Sequence, residues 1–187
     1  MKHITLVRHN SYLFKGTVEE NLRMAKPDAA KAEMEAVLSK VNLLSFLNTQ
    51  QGLQTKLLEK AGNFSGGQCQ RLALARALLH DTPVYIFDEA TSNIDAESEE
   101  LIMEVIRELA KTKTVLLISH RLSNVTASDC IYMLVNGEIK EKGTHEELMK
   151  QGGSYQYLFE SQRSLEEYGR TGISKVCPKT AGKEVGA

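Results

Sequence analysis

Short stretches of this 187-residue sequence carry side chains whose types and spacing could do chemistry. The first is Asn63-Phe64-Ser65-Gly66-Gly67-Gln68, which runs straight into the helical stretch Cys69 to Leu79. Ser65 stands where a helix N-cap belongs, and two glycines allow close backbone approach. The free amides and positive dipole of a helix start favour an anion, so phosphate is the natural ligand. A plain capped turn is the competing reading of the same residues. The second stretch is Val84-Tyr85-Ile86-Phe87-Asp88-Glu89, an apolar run that ends in adjacent carboxylates. At the C-terminal edge of a buried strand, one acid can hold Mg²⁺ through oxygen while the next orients and deprotonates a water. Taken alone, such a pair is as often solvated or helix-capping. The third is His120, which follows the apolar strand Val115 to Ile118 and Ser119; a lone histidine there is at least as often structural.

The elements that must position these groups are legible from periodicity. After Gly16, Thr17 and Glu20 have capping-box spacing, and Met34, Val37, Leu38 and Val41 recur at helical period after Pro27 and Asp28, so the region to about His80 reads as mainly helical. Val84 to Phe87 and Thr114 to Ser119 read as strands buried on both faces, and Cys130 to Val135 as a third. Between the first two, Asp95 can cap a helix with the apolar stripe Leu101, Ile102, Val105, Ile106 and Leu109. This alternation is the rhythm of an open parallel α/β sheet. His3 to Val7 is a β-prone run with no upstream element to pack beside. Asn136-Gly137 signals a turn into a return strand, Glu138 to Glu141, and Thr144 to Tyr168 is helical again, with Leu148, Tyr155, Leu158 and Phe159 available for packing. Gly169 to Ala187 lacks period and reads as a disordered tail.

Composition narrows the partners. A formal net charge of -1 gives no basic field for nucleic acid, and none is expected as a partner. Three cysteines without CxxC spacing argue against a disulfide framework or zinc site and fit a reducing cytoplasm. The apolar runs fall far short of the roughly 20 residues that cross a bilayer.

Taken in order, these pieces resemble the ATP-binding cassette of ABC transporters. Phe64-Ser65-Gly66-Gly67-Gln68 is similar to the family's signature, with Phe for the usual Leu; Val84 to Asp88 to its Walker B strand; Glu89 to the catalytic glutamate; Ser92-Asn93-Ile94-Asp95 to the D-loop; and His120 to the switch histidine. The segment Tyr12 to Leu22 and Glu59 resemble parts of exporters whose permease and cassette share one polypeptide, where both touch the membrane domain. Cys69-Gln70-Arg71 and Ser92-Asn93 are similar to bacterial subunits resembling the cysteine and glutathione exporter of cytochrome bd assembly. The resemblance implies a P-loop NTPase-like, RecA-like parallel sheet with a helical signature subdomain at about 17–80, an α/β core at about 81–168 and a cytoplasmic face of the membrane as its location. It implies ATP and Mg²⁺ as cofactors, Asp88 for Mg²⁺, Glu89 and His120 as catalytic groups, and a second cassette and a permease as partners. Ser65, Gly66, Gly67 and Gln68 would then serve nucleotide held by the other cassette, and Phe14, Glu59 and Asp95 would lie at interfaces.

The sequence departs from the family in two places. No Gly-x-x-x-x-Gly-Lys-Ser/Thr loop occurs anywhere; Gly182-Lys183 is followed by Glu184 and preceded by Cys177 at the wrong spacing. The expectation is that the P-loop strand belongs in the sheet between the strand leading to His120 and the one at Cys130 to Val135, and lies outside this chain. Losing three or four charge-assisted hydrogen bonds of about 1.5–3 kcal/mol each removes the roughly 5.5 kcal/mol that binding at about 0.1 mM is worth, so the chain alone is expected not to hold ATP. Second, His9 takes the Q-loop glutamine position, where it would offer Mg²⁺ an imidazole nitrogen in place of a carbonyl oxygen; a loop histidine that only alters coupling is the competing reading. Three readings remain: a piece of an ATP-hydrolysing exporter, a module that donates its signature to a partner, or a truncated remnant.

Overall fold

A computed structural model describes residues 3–172. Residues up to His120 form one compact unit and residues from Arg121 a second. In chain order the first holds β1 (Ile4–Arg8), β2 (Gly16–Thr17), α1 (Val18–Arg23), α2 (Lys31–Lys40), α3 (Leu44–Asn48), β3 (Lys56–Leu57), α4 (Gly66–His80), β4 (Val84–Asp88), α5 (Ala96–Ala110) and β5 (Thr114–Ile118).

The N-terminal β-prone run does find a neighbour: β1 pairs in parallel with β4 along its whole length, and β4 with β5, giving a parallel sheet in the order β1-β4-β5. Arg8, Asp88 and Ile118 stand opposite one another, so the strands end level and their C-terminal residues share one edge. Helices follow from the sequence as expected. Thr17 Oγ1 accepts from the Glu20 amide at 3.1 Å while the Glu20 carboxylate accepts from the Thr17 amide at 2.7 Å, a complete capping box. Met34, Val37, Leu38 and Val41 are buried in a core shared with Val7, Tyr85 and Phe87. The short antiparallel pairing of β2 with β3 has no counterpart in the sequence reading; residues this few carry no period.

The expectation that both strand faces are buried is overturned. Tyr85 and Phe87 are buried on the face that α4 reaches, where Tyr85 Oη donates to the Ala77 carbonyl at 3.5 Å. On the opposite face Leu6, Leu116 and Ile118 are 48%, 51% and 45% exposed, because no described element covers them. Apolar character on both faces is thus present in the sequence, while the described residues cover only one. Among the described residues β4 is the only strand paired with β5.

In the second unit, β6 (Ile131–Val135) is not a member of the parallel sheet, contrary to expectation. It pairs antiparallel with β7 (Glu138–Gly143) through a turn in which Asn136 and Gly137 both take positive φ, 53° and 81°, the geometry that tight hairpins require. α6 (His145–Gln151) stops at Gly152, φ 70°, and α7 (Ser154–Gly172) follows. Of the residues read as available for packing, Leu148 and Tyr155 are fully buried, whereas Leu158 is exposed. The Glu141 carboxylate accepts from the amides of Ser154 and Tyr155 and so caps the start of α7. α7 runs past Gly169, where a tail was expected to begin; residues 173–187 of that tail lie outside the described residues.

Candidate functional site

Level strand ends bring Asp88, Glu89 and His120 to one edge of the sheet. Glu89 turns the chain sharply away from β4 in the left-handed region, φ 49°, and its amide donates to the Ile118 carbonyl at 3.0 Å, fixing it against the end of β5. The turn aims its carboxylate at His120: Glu89 Oε1 lies 2.7 Å from His120 Nε2. The imidazole is strongly exposed, so the pair faces outward where a substrate can reach it. Asp88 Oδ2 lies 3.7 Å from Arg8 Nε, a basic group of this chain that meets part of its demand for positive charge. His9 donates its backbone amide to the Asp88 carbonyl at 3.2 Å. Its exposed imidazole makes no hydrogen bond or ion pair among the described residues.

Asp88 fits Mg²⁺ as one hard-oxygen ligand of an ion that keeps several waters and shares a substrate's phosphates. No group of three His, Cys, Asp or Glu side chains forms a self-sufficient metal cage among the described residues. The donor set therefore suits a metal that arrives with its own oxygen ligands.

The Ser-Gly-Gly turn is built as a rigid helix start. Ser65 caps α4, its Oγ accepting from the Gln68 amide at 3.2 Å, and the Gln68 side chain accepts from the Ser65 amide at 2.9 Å. Because the Ser65 hydroxyl accepts inward, its proton is left to donate outward. The two glycines have different jobs. A Cβ on Gly67, which is buried, would come within 2.6 Å of Ser98 Cβ at the start of α5. A Cβ on exposed Gly66 would meet nothing nearer than the Asn93 carbonyl at 3.7 Å. Gly67 thus permits close packing of α4 on the segment after β4, and Gly66 is the one open to a ligand. Asp95 caps α5, and the Ser98 amide that donates to it at 2.8 Å holds its carboxyl below the usual range. Burial pushes the neighbouring Cys69 thiol up.

Phe14 and Glu59 lie apart from this chemistry. The Phe14 backbone is clamped by buried Asn21, which accepts from its amide and donates to its carbonyl, both at 2.9 Å, leaving the ring exposed beside Tyr12. Glu59 sits exposed in a short 3-10 turn, Glu59–Ala61. Gln70, whose Nε2 donates to the Arg8 carbonyl at 2.9 Å, and Ser98, whose amide donates to Asp95, hold the strand end and helix start beside the site, and the sequence reading gave neither a positioning role. Gln70 carried one signal: it falls on the buried stripe of α4 between Gly67 and Leu74.

Residues 1–92 match the model of the ABC transporter family. A protein of Haemophilus influenzae named an uncharacterized ABC transporter ATP-binding protein is 52% identical over 164 residues, covering 88% of this chain and 29% of that protein. A Staphylococcus aureus protein named a putative multidrug export ATP-binding/permease protein is 42% identical over 160 residues, 85% of this chain and 28% of that one. A bacterial Atm1-family ABC exporter solved with ATP bound superposes with a TM-score of 0.80 at 33% identity, over 86% of this chain and 28% of the exporter. The chain spans under a third of the length of each. Among the described residues no helix is long and apolar enough to cross a membrane.

Proposed function

We propose that this chain, whose residues 1–92 match the ABC transporter family and whose fold matches the ATP-binding domain of an Atm1-family exporter, is part of a cassette that hydrolyses ATP to drive export. The observation that carries this reading is the 2.7 Å contact between Glu89 and His120 beside Asp88 at the ends of parallel strands.

In this reading Glu89 accepts a proton from the attacking water, and His120, held by Glu89, meets the γ-phosphate. Asp88 holds Mg²⁺, which when bound supplies Lewis-acid polarisation of the phosphate oxygens. The Ser65 hydroxyl and the amides at Gly66 and beyond face nucleotide held by a second cassette, with Asp95 at that interface. Phe14 and Glu59 meet a permease domain on the cytoplasmic side. The P-loop comes from outside these 187 residues, and the exposed face of Leu6, Leu116 and Ile118 is the seat for the helix that follows it. Narrowing the parent to a cysteine or glutathione exporter rests on Cys69-Gln70-Arg71 and Ser92-Asn93 alone; the transported substrate is set by the membrane domain.

Donation of the signature to a partner is favoured as a second activity by the exposure of Gly66 and the outward proton of Ser65. The test is to join a P-loop-bearing segment ahead of this chain and measure phosphate release. ATPase activity that Glu89→Gln abolishes supports the reading. A fused cassette that binds MgATP and does not hydrolyse it, or one indifferent to Glu89→Gln, overturns it.

A further inference from the structure

The strand beside Asp88 ends in a cation. Arg8 is the last residue of β1 and stands opposite Asp88 in the parallel register, while Ile118 stands opposite Asp88 on its other side. Residues paired in this way project to the same face of a sheet. Val7 and Phe87, one residue earlier, enter the packed core, so Arg8 and Asp88 project to the opposite face, where Leu6, Leu116 and Ile118 stand about half exposed. Two opposite charges therefore close one end of a largely apolar open face.

The root of the Arg8 side chain is fixed. Its amide donates to Ser11 Oγ at 3.2 Å, and its carbonyl accepts from Ser11 Oγ and from Gln70 Nε2, both at 2.9 Å. Gln70 is itself buried, so the anchor belongs to the core. The guanidinium is held less tightly: its side chain is 60% exposed, and Nε approaches Asp88 Oδ2 only to 3.7 Å, an attraction without a hydrogen bond. Neither Arg8 nor Asp88 enters another ion pair among the described residues. A pair this open contributes little to stability. Its effect falls on what else can sit at Asp88, because a bare divalent cation bound there meets a positive charge tethered a few ångströms away. A metal that carries phosphate brings anionic oxygens that the planar guanidinium fork can take instead.

We propose that Arg8 makes Asp88 selective for metal that carries phosphate: the guanidinium competes with bare metal for the carboxylate and turns to the phosphate oxygens when metal and phosphate arrive together. This rests on the reading that Asp88 holds Mg²⁺, and adds a specificity-determining residue to it. Charge, and not the shape of the side chain, does the selecting, so Lys at this position keeps the preference in weaker form and a neutral side chain of similar length loses it.

The probes are Mn²⁺ alone, a paramagnetic ion of the same hard-oxygen preference as Mg²⁺, and Mn²⁺ with excess tripolyphosphate. Each is titrated into the full 187-residue chain labelled with nitrogen-15, and the broadening of the Asp88 and Glu89 amide signals is followed. Arg8→Met is expected to let bare Mn²⁺ act at about threefold lower concentration, the modest factor that an exposed, salt-screened charge supplies. The same variant is expected to require more of the tripolyphosphate complex, and Arg8→Lys to stay near the native chain with both probes. A response to either probe that Arg8→Met leaves unchanged, or a shift in the same direction for both, overturns the inference. Asp88→Asn keeps the two readings apart. If it weakens the broadening by bare Mn²⁺ while Arg8→Met does nothing, the inference falls and Asp88 stands as the metal ligand; if it leaves that broadening unchanged, both fall.

Discussion

The two faces of the three-stranded sheet are made of similar residues and meet opposite fates. Val7, Tyr85 and Phe87 are all but inaccessible beneath the helices, while Leu6, Leu116 and Ile118, on the opposite face of the same sheet, stand about half exposed. Period-two alternation puts neighbours on opposite faces, so the strands themselves record that two covers are intended. The contrast separates what this chain can organise by itself, namely the signature turn, the capped helices and the level strand ends, from what it leaves to another segment.

The largest test of that contrast is truncation on each face. Phe87→Ala empties a site in the packed core and is expected to cost about 3–5 kcal/mol in urea denaturation. Leu116→Ala is expected to cost under about 1 kcal/mol. Equal losses on both faces would mean that the exposed face is covered after all.

Next in size is the pair of glycines. Gly67→Ala is expected to destabilise by about 1–3 kcal/mol through overlap with Ser98, with partial rescue by Ser98→Gly. Gly66→Ala leaves stability unchanged or slightly raised, since it meets only ordinary contacts at a helix start. In a completed cassette the order reverses for function: Gly66→Ala impairs hydrolysis without unfolding. The smallest effect concerns Asp95, whose folded pKa is depressed by the Ser98 amide. Its contribution is present above the unfolded carboxylate value and is lost as pH falls through the folded one. Asp95→Asn, which keeps a capping oxygen, is therefore expected to flatten the acid side of a stability-against-pH curve. An unchanged acid limb would remove Asp95 from that account.

Much of the framework that places these residues was legible in the sequence because it rests on local signals. A capping box announced α1, Ser65 at an N-cap position announced α4, a strand ending in Asp88-Glu89 announced the sheet edge, and His120 followed the next strand. What was not legible depends on contacts distant in sequence. That Gly67 serves packing on Ser98 and Gly66 remains open needs two helices placed together, and the Asn21 clamp on Phe14 needs a loop folded back on its own helix. The hairpin of β6 with β7 was legible in Asn136-Gly137, whereas the absence of β6 from the parallel sheet was not, because an apolar run fits a buried parallel strand and a hairpin strand equally well.

The central claim is that these residues hold the water-activating pair and the signature while the phosphate grip comes from elsewhere. Calorimetric titration of MgATP into the 187-residue chain tests it most directly. The account predicts no saturable heat below the millimolar range, with binding gained when the P-loop-bearing segment is joined on. Saturable micromolar binding by the chain alone would contradict it.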